Sequence, residues 1–399
     1  MDVQDGDDLF RSFFLGGFEC STHRRLDGRR LDILAATGHD RHAEANYRLL
    51  AAAGIRAVRD GIRWHRIEVG PGWYDWSSVL PQLRAARAAG IQVIWDLCHY
   101  GWPDDLDIWS PAFVDRFAGF AAAAARLIRA ESDAIPFFCP INEISFLAWA
   151  GGDEGYMNPF ARGEGERLKV QLVRAAIAAV DAIRAVDLRA RFVYAEPAIH
   201  VTAGAPLAEE HEAAERRRLS QFQTYDMLSG REEPGLGGAP AYLDIVGVNF
   251  YPHNQWYQGG STIPLGHHGY RPLHQILAEF HARYGRPLLI AETGAEGSAR
   301  PSWLHYVCAE VRQARACGVP VRGICLYPVL DYPGWDDERP CEVGLLTAWD
   351  PAGTGRIHQP LMDELTVQRH LMDLEGGRER AFVPAVAMGR ALAGGVRHG

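Results

Sequence analysis

Short apolar runs alternate with longer Ala- and Arg-rich stretches of helical period through most of the chain, the pattern of repeated βα units around a buried parallel sheet. Eight such runs stand out: Phe13–Glu19, Ala57–Trp64, Gln92–His99, Phe137–Ile144, Arg191–Glu196, Asp244–Tyr251, Pro287–Glu292 and Val321–Tyr327. Between them the spacing predicts helices most clearly at Ala43–Ala53, Val79–Ala89, Pro111–Ala130, Leu168–Val186, Pro272–Tyr284 and Pro301–Ala316. Gly54, Gly90, Gly285 and Gly318 follow four of these, where a helix end favours a residue free to turn left-handed.

Eight strands, each followed by a helix, predict a single closed (β/α)8 TIM barrel over residues 1–375 with long loops on its C-terminal face. Residues 376–399 show little patterning and are expected to form a tail, loose or packed on the barrel. The rival is a doubly wound open sheet, but the first strand-to-helix turn holds only Gly16-Gly17 and no Gly-x-Gly-x-x-Gly. The long irregular segments Ser145–Gly165, Pro252–Gly269 and Asp331–Trp349 all follow strands, which in a barrel puts them on the face where sites form.

Composition narrows the chemistry. At 399 residues, 47% hydrophobic and 23% charged, the chain reads as an ordinary globular protein, and no apolar run approaches the roughly eighteen residues of a membrane span. Met1–Asp8 is acidic and polar, without the basic start and apolar core of a secretory signal, so the expected location is cytoplasmic and no membrane partner is expected. A net charge of −9 with no basic cluster argues against nucleic acid. The seven cysteines are scattered and lack Cys-x-x-Cys spacing, so they read as buried free thiols rather than disulfides or a zinc site. A single lysine, Lys169, lies in a helical stretch, which leaves Schiff-base and pyridoxal chemistry unsupported, and phosphate-binding Gly-rich loops are absent. No cofactor and no metal are expected; His99, the one strand-end histidine, lacks a His-x-x-x-His partner. Nothing in the sequence bears on oligomeric state.

The strand ends are rich in groups that could converge on a substrate: Glu19, Arg59 and Asp60, His99, Asn142 and Glu143, Glu196, Asn249 and Tyr251, and Glu292. Glu143 and Glu292 stand out, each closing an apolar run, on strands four and seven, which face one another across an eight-stranded mouth. Paired carboxylates across a pocket suit cleavage of a glycosidic bond, where one donates a proton to the leaving oxygen and the other captures or shields an oxocarbenium-like centre. The bland reading is a structural ion pair in the barrel mouth, and for Arg59 the two readings coincide.

The ordered motifs are specific. Val58 through Ile67, Asp96-Leu97-Cys98-His99-Tyr100-Gly101-Trp102-Pro103, Asn142-Glu143, Asp244 through Tyr251, Ile290-Ala291-Glu292-Thr293-Gly294, and Leu330-Asp331 through Gly344-Leu345 together resemble clan A glycoside hydrolases, nearest the β-glucosidase-like enzymes of glycoside hydrolase family 1. The resemblance implies a retaining, exo-acting β-glycosidase acting on a small glycoside or oligosaccharide, with Glu143 as acid/base and Glu292 as nucleophile. Arg59 and Tyr251 are expected to keep Glu292 ionised, Asn142 to hold the sugar 2-hydroxyl, and His99 another hydroxyl; Asn249 is expected to bind substrate as well, and Trp335 to stack on the ring. The departures point to a non-standard glycone site. Gly17 stands where the family carries a Gln, Gly334 where it carries a Glu, and Tyr327 where it carries a Trp, while Glu19, Asp60 and Glu196 add carboxylates suited to hydroxyls or an amino group. Two alternatives remain: a transglycosylase using the same two glutamates, and a catalytically silent sugar-binding barrel.

Overall fold

A strand walled on one side by the barrel interior and on the other by helices is apolar along its whole length, and all eight runs become such strands in the computed structural model. They are β1 (Phe14–Gly17), β2 (Ala57–Gly61), β3 (Gln92–Asp96), β4 (Phe137–Cys139), β5 (Arg191–Pro197), β6 (Ile245–Asn249), β7 (Leu288–Thr293) and β8 (Val321–Leu326). Each pairs in parallel with its chain neighbours and β1 pairs with β8, closing the barrel. The structure describes residues 9–348 and 355–381, with side chains as far as 374. Among the described residues no helix is long and apolar enough to cross a membrane; Met1–Asp8, on which the expected location rested, lies outside them.

Two concentric cores follow from the alternation of side chains. Leu15, Ala57, Ile94, Phe137, Val193, Ile245, Leu289 and Cys325 fill the barrel interior. The opposite faces, with Val58, Trp95, Phe138 and Val246, pack outward against the helices. Those helices are α1 (His39–Ala52), α2 (Leu80–Ala88), α3 (Pro111–Glu131), α4 (Gly165–Arg184), α5 (Ala208–Leu219), α6 (Gln223–Leu228), α7 (Leu273–Tyr284), α8 (Arg300–Ala316) and α9 (Gln359–Ala381). In α3, Phe113, Phe117 and Phe120 recur at helical spacing and close around Trp64, with ring centroids 5.1–5.7 Å from it.

Several expected strands stop short. The runs read to Glu19, Trp64, His99 and Ile144 end as strands at Gly17, Gly61, Asp96 and Cys139, because the chain must leave the hydrogen-bond ladder before it can turn into a helix. The residues beyond those ends form the mouth. The tail expected from 376 shares its first residues with α9, which continues to Ala381, and residues 382–399 lie outside the described part.

Candidate active site

Arg59 is the hub of the mouth. It is fully buried on β2, and its guanidinium donates to both oxygens of Asp96 (Nε 3.3 Å, Nη2 2.6 Å), to Asn142 Oδ1 at 2.9 Å, to Glu292 Oε1 at 2.9 Å and to the Ala291 carbonyl at 2.9 Å. Five donors meet five acceptors drawn from the ends of β3, β4 and β7, so one side chain ties three strand ends together, a geometry that only the planar fork of arginine supplies.

Glu292 is held at both oxygens, by Arg59 on Oε1 and by the Tyr251 hydroxyl on Oε2 at 2.9 Å. Asn249 is its partner in the β6–β7 register and sends Nδ2 across to Oε1 of Glu143 at 2.8 Å. The other oxygen of Glu143 accepts from the Tyr100 hydroxyl at 2.6 Å. The two glutamates expected to work together thus share one hydrogen-bonded network, which runs from Glu292 through Arg59, Asn142 and the Tyr100 hydroxyl to Glu143, while Asn249, the strand partner of Glu292, bonds Glu143 directly.

Their electrostatics differ in kind. Burial raises Glu143; the hydroxyl of Tyr100 and the amide of Asn249 oppose this, and the charge of Glu196 adds to it. Burial raises Glu292 too, to about 7, with Arg59 pulling down and Glu143 pushing up. Two carboxyls in one buried mouth resist ionising together. The cation touches Glu292, whereas Glu143 accepts from the neutral donors Tyr100 and Asn249, an arrangement that favours the charge on Glu292 and a proton on Glu143.

Around this pair sit His99, Glu19 and Cys20. His99 Nδ1 meets Asp96 Oδ2 at 3.1 Å and Cys20 Sγ at 3.2 Å, and its Nε2 meets Asn142 Nδ2 at 3.1 Å. Because Asn142 turns its oxygen to Arg59, the network assigns Nε2 as acceptor and Nδ1–H as donor to Asp96. Asn142 Nδ2 also donates to the Tyr100 hydroxyl at 3.0 Å. The ligand-type atoms of Cys20, Asp96 and His99 lie within 4.8 Å of one another, but both Asp96 oxygens serve Arg59 and Nδ1 carries a proton, a hydrogen-bonding unit rather than a vacant donor set. Glu19 is 6% exposed, with one oxygen accepting from the Ser21 N–H (3.0 Å) and hydroxyl and lying 4.0 Å from His99 Nε2.

Two of the extra strand-end carboxylates point elsewhere. Asp60, next to Arg59 on the same strand, faces outward and accepts from His39 Nε2 at 2.8 Å, Gln82 Nε2 at 3.2 Å and the Tyr47 hydroxyl. Neighbouring residues on a strand face opposite sides, so Asp60 braces β2 against α1 and α2 instead of adding charge to the mouth. Glu196 is 1% exposed and spends its carboxylate on the N–H of Ser145, at 3.0 Å, and on its hydroxyl. Trp335 stands edge-on to His23 (centroids 4.8 Å) and Tyr100 (5.8 Å), and its buried Nε1 has no hydrogen-bond partner among the described residues.

Sequence reading passed over Asp96 and Tyr100. Asp96 was in plain view at the end of an apolar run, three residues before His99. Tyr100 was hidden because its backbone takes φ 67°, a left-handed turn that swings its hydroxyl back to Glu143.

No protein-family model matches the sequence, and a comparison with curated proteins finds no match. Solved structures do match along the whole barrel. A β-glucosidase from Thermotoga maritima, in complex with glucoimidazole, superposes with a TM-score of 0.73 at 17% identity, covering 90% of this chain and 98% of that one. The β-glycosidase from Thermosphaera aggregans gives 0.73 at 16% identity over 91% and 97%, and the AHE enzyme from Alicyclobacillus herbarius 0.72 at 18% over 90% and 97%. The chain has the fold of a family 1 β-glucosidase.

Within that fold two of the three departures are one event. The Tyr327 ring occupies the space above Gly17, and its buried hydroxyl has no hydrogen-bond partner among the described residues. Its ring lies parallel to that of His99, 6.2 Å between centroids, and Glu19 Oε1 lies 4.0 Å from His99 Nε2, so Tyr327 and Glu19 border the same imidazole. At the third departure, a Cβ on Gly334 would meet closely only the carboxylate end of the exposed Asp337 side chain, Oδ1 at 2.8 Å, which is free to swing aside, so the backbone there leaves room for a side chain.

Proposed function

We propose that this protein is an exo-acting retaining β-glycosidase with Glu292 as nucleophile and Glu143 as acid/base. The observation that carries the reading is the convergence of these two residues, from the ends of β4 and β7, in a single buried network in which Arg59 bonds Glu292 and, among the described residues, no cation bonds Glu143. In the first step a Glu292 oxygen bonds to the anomeric carbon as the bond to the aglycone oxygen breaks, and Glu143 gives that oxygen its proton. In the second step water loses a proton to Glu143 and attacks the same carbon, releasing Glu292. Arg59 and Tyr251 hold the nucleophile, and Asn142, Asn249 and His99 line the sugar side. Glu143 starts protonated because burial and the charge of Glu196 favour the neutral form over the pull of Tyr100 and Asn249, as a general acid working near neutral pH requires.

The glycone subsite is non-standard. Tyr327 fills the volume above Gly17, and Glu19 brings a carboxylate to the same wall, so the ring is gripped by Glu19, Tyr327 and Trp335. All five donors of Arg59 are taken by protein acceptors, and the single lysine is committed to Gln223. With these two cations occupied, the reading favours neutral or amino-bearing glycones over 6-phosphates and uronic acids. The buried wall formed by Glu19, His99 and Tyr327 supports a dead-end pocket that takes one terminal sugar.

The test is trapping. A panel of 2,4-dinitrophenyl 2-deoxy-2-fluoro-β-glycosides, neutral, amino-bearing and anionic, is incubated with the protein and the digest is read by mass spectrometry. An adduct on the Glu292 peptide is the expected result. Absence of any adduct across the panel, or an adduct elsewhere, overturns the reading and favours the silent sugar-binding alternative.

A further inference from the structure

We propose that Glu196 is a positioning residue for Glu143: it locks the left-handed turn that aims the acid/base carboxyl and sets a second carboxylate beside it. This rests on the reading of Glu143 as acid/base.

The geometry comes first. Glu143 has φ 43° and ψ 61°, a left-handed conformation that non-glycine residues adopt only when their surroundings impose it. The end of β5 imposes it from both sides. The Ala195 carbonyl accepts the Glu143 N–H at 2.9 Å, and the carboxylate of Glu196, the next residue, accepts the Ser145 N–H at 3.0 Å together with the Ser145 hydroxyl. The short helix Ile144–Leu147 is thereby anchored at its first turn, directly after the residue whose side chain must point into the mouth.

The charges follow. Lys169, the only lysine in the chain, sits on α4 at 9% exposure with its Nζ on Gln223 Oε1. Burial lowers it, and Glu166, Glu196 and Glu232 hold its charge in place against Arg217. Burial lifts Glu196 to about 7, with the Ser145 donors and then Lys169 pulling it down; its charge is also felt by the Tyr225 phenol of α6, whose hydroxyl donates to the Gly247 carbonyl at 2.6 Å. Facing Glu143 itself are Tyr100, Asn249, Glu196 and His99, with Glu292 and Tyr251 across the mouth. As pH rises through neutrality Glu196 ionises, and its charge makes it harder for Glu143 to lose its proton. The acid form therefore survives to higher pH than burial alone would allow.

The test compares Glu196→Gln, which keeps an acceptor for Ser145 but removes the charge, with Lys169→Met and Lys169→Arg. For a phenyl β-glycoside of whichever glycone the parent turns over, the basic limb of kcat/KM is expected to move down by about one pH unit in Glu196→Gln. For the matching 2,4-dinitrophenyl glycoside, whose leaving group departs without protonation, it should stay within twofold of the parent. Lys169→Met should move the limb in the same direction, the double variant no further, and Lys169→Arg should restore it. The same shift is read without substrate from the side-chain carboxyl 13C resonance of Glu143, assigned as the line lost in Glu143→Gln. Equal losses for both leaving groups with an unmoved limb and resonance make Glu196 a purely structural residue and overturn the inference. A parent that turns over no glycoside overturns the acid/base reading itself, and the 13C titration still decides the coupling. Should Glu196→Gln fail to fold, Lys169→Met carries the test.

Discussion

The ring of Tyr327 lies across Gly17, so that a Cβ on residue 17 would stand 2.0 Å from Cδ2 of Tyr327. A vacancy on β1 is filled by an aromatic just past β8, and neither residue is free to change alone. Gly17→Ala is expected to cost about 1–3 kcal/mol of stability through overpacking, and Tyr327→Ala in the same chain to recover part of that loss. Denaturant unfolding of the two single variants and the double variant measures it; strictly additive losses would mean the two side chains do not share the space.

Arg59→Lys replaces a five-donor fork by three donors, leaving Asp96, Asn142 and Glu292 competing for one ammonium. Arg59 lowers Glu292, so weakening it raises the nucleophile's pKa. The acidic limb of kcat/KM is expected to move to higher pH, and kcat to fall roughly a hundredfold or more. A pH profile with an unmoved acidic limb contradicts the assignment of charge to Glu292.

Tyr100→Phe acts on the other carboxyl with the opposite sign to Glu196→Gln. The Tyr100 hydroxyl stabilises ionised Glu143, so its loss raises Glu143 further and moves the basic limb up. Two single substitutions around one acid that shift the limb in opposite directions are hard to produce by general loosening, and pH profiles of both on the same aryl glycoside read them directly.

Stability carries the same signature. A carboxyl raised in the folded state keeps its proton where the unfolded chain has released it, so its contribution weakens as pH climbs from the ordinary carboxylate value through the raised one. Glu143 is such a group, raised by burial from an ordinary 4.5. Glu143→Gln, neutral at every pH, is therefore expected to melt above the parent at pH 8, with the gap closing toward pH 4. A gap that is constant with pH, or reversed, removes the raised carboxyl.

Much of this was legible in the sequence for a physical reason. Parallel strands buried on both faces read as unbroken apolar runs, so every strand start was visible, and the polar residue ending each run marked the rim: Arg59, Asn142, Glu143, Asn249 and Glu292 all lie there. What stayed hidden depends on direction. Arg59 and Asp60 are adjacent and so cannot both face inward, a signal that was present but unread. Tyr100 and Glu143 rely on left-handed backbone that no residue type announces. Glu196 sits at a rim position, yet its use is decided by Ser145, a contact between separate strands. Helix α5 was missed because its charged sequence, AEEHEAAERRRL, leaves no apolar stripe and buries only Ala214. Helix α9 does carry such a stripe, in Leu361, Leu365 and Met372.

The most direct test of the double displacement is the anomeric configuration of the first-formed sugar, followed by proton NMR while an aryl β-glycoside is hydrolysed and before mutarotation. With Glu292 forming a covalent intermediate and Glu143 returning as base, the β-anomer appears first. Initial release of the α-anomer would mean that water attacks directly, and that these two glutamates do not act as nucleophile and acid/base.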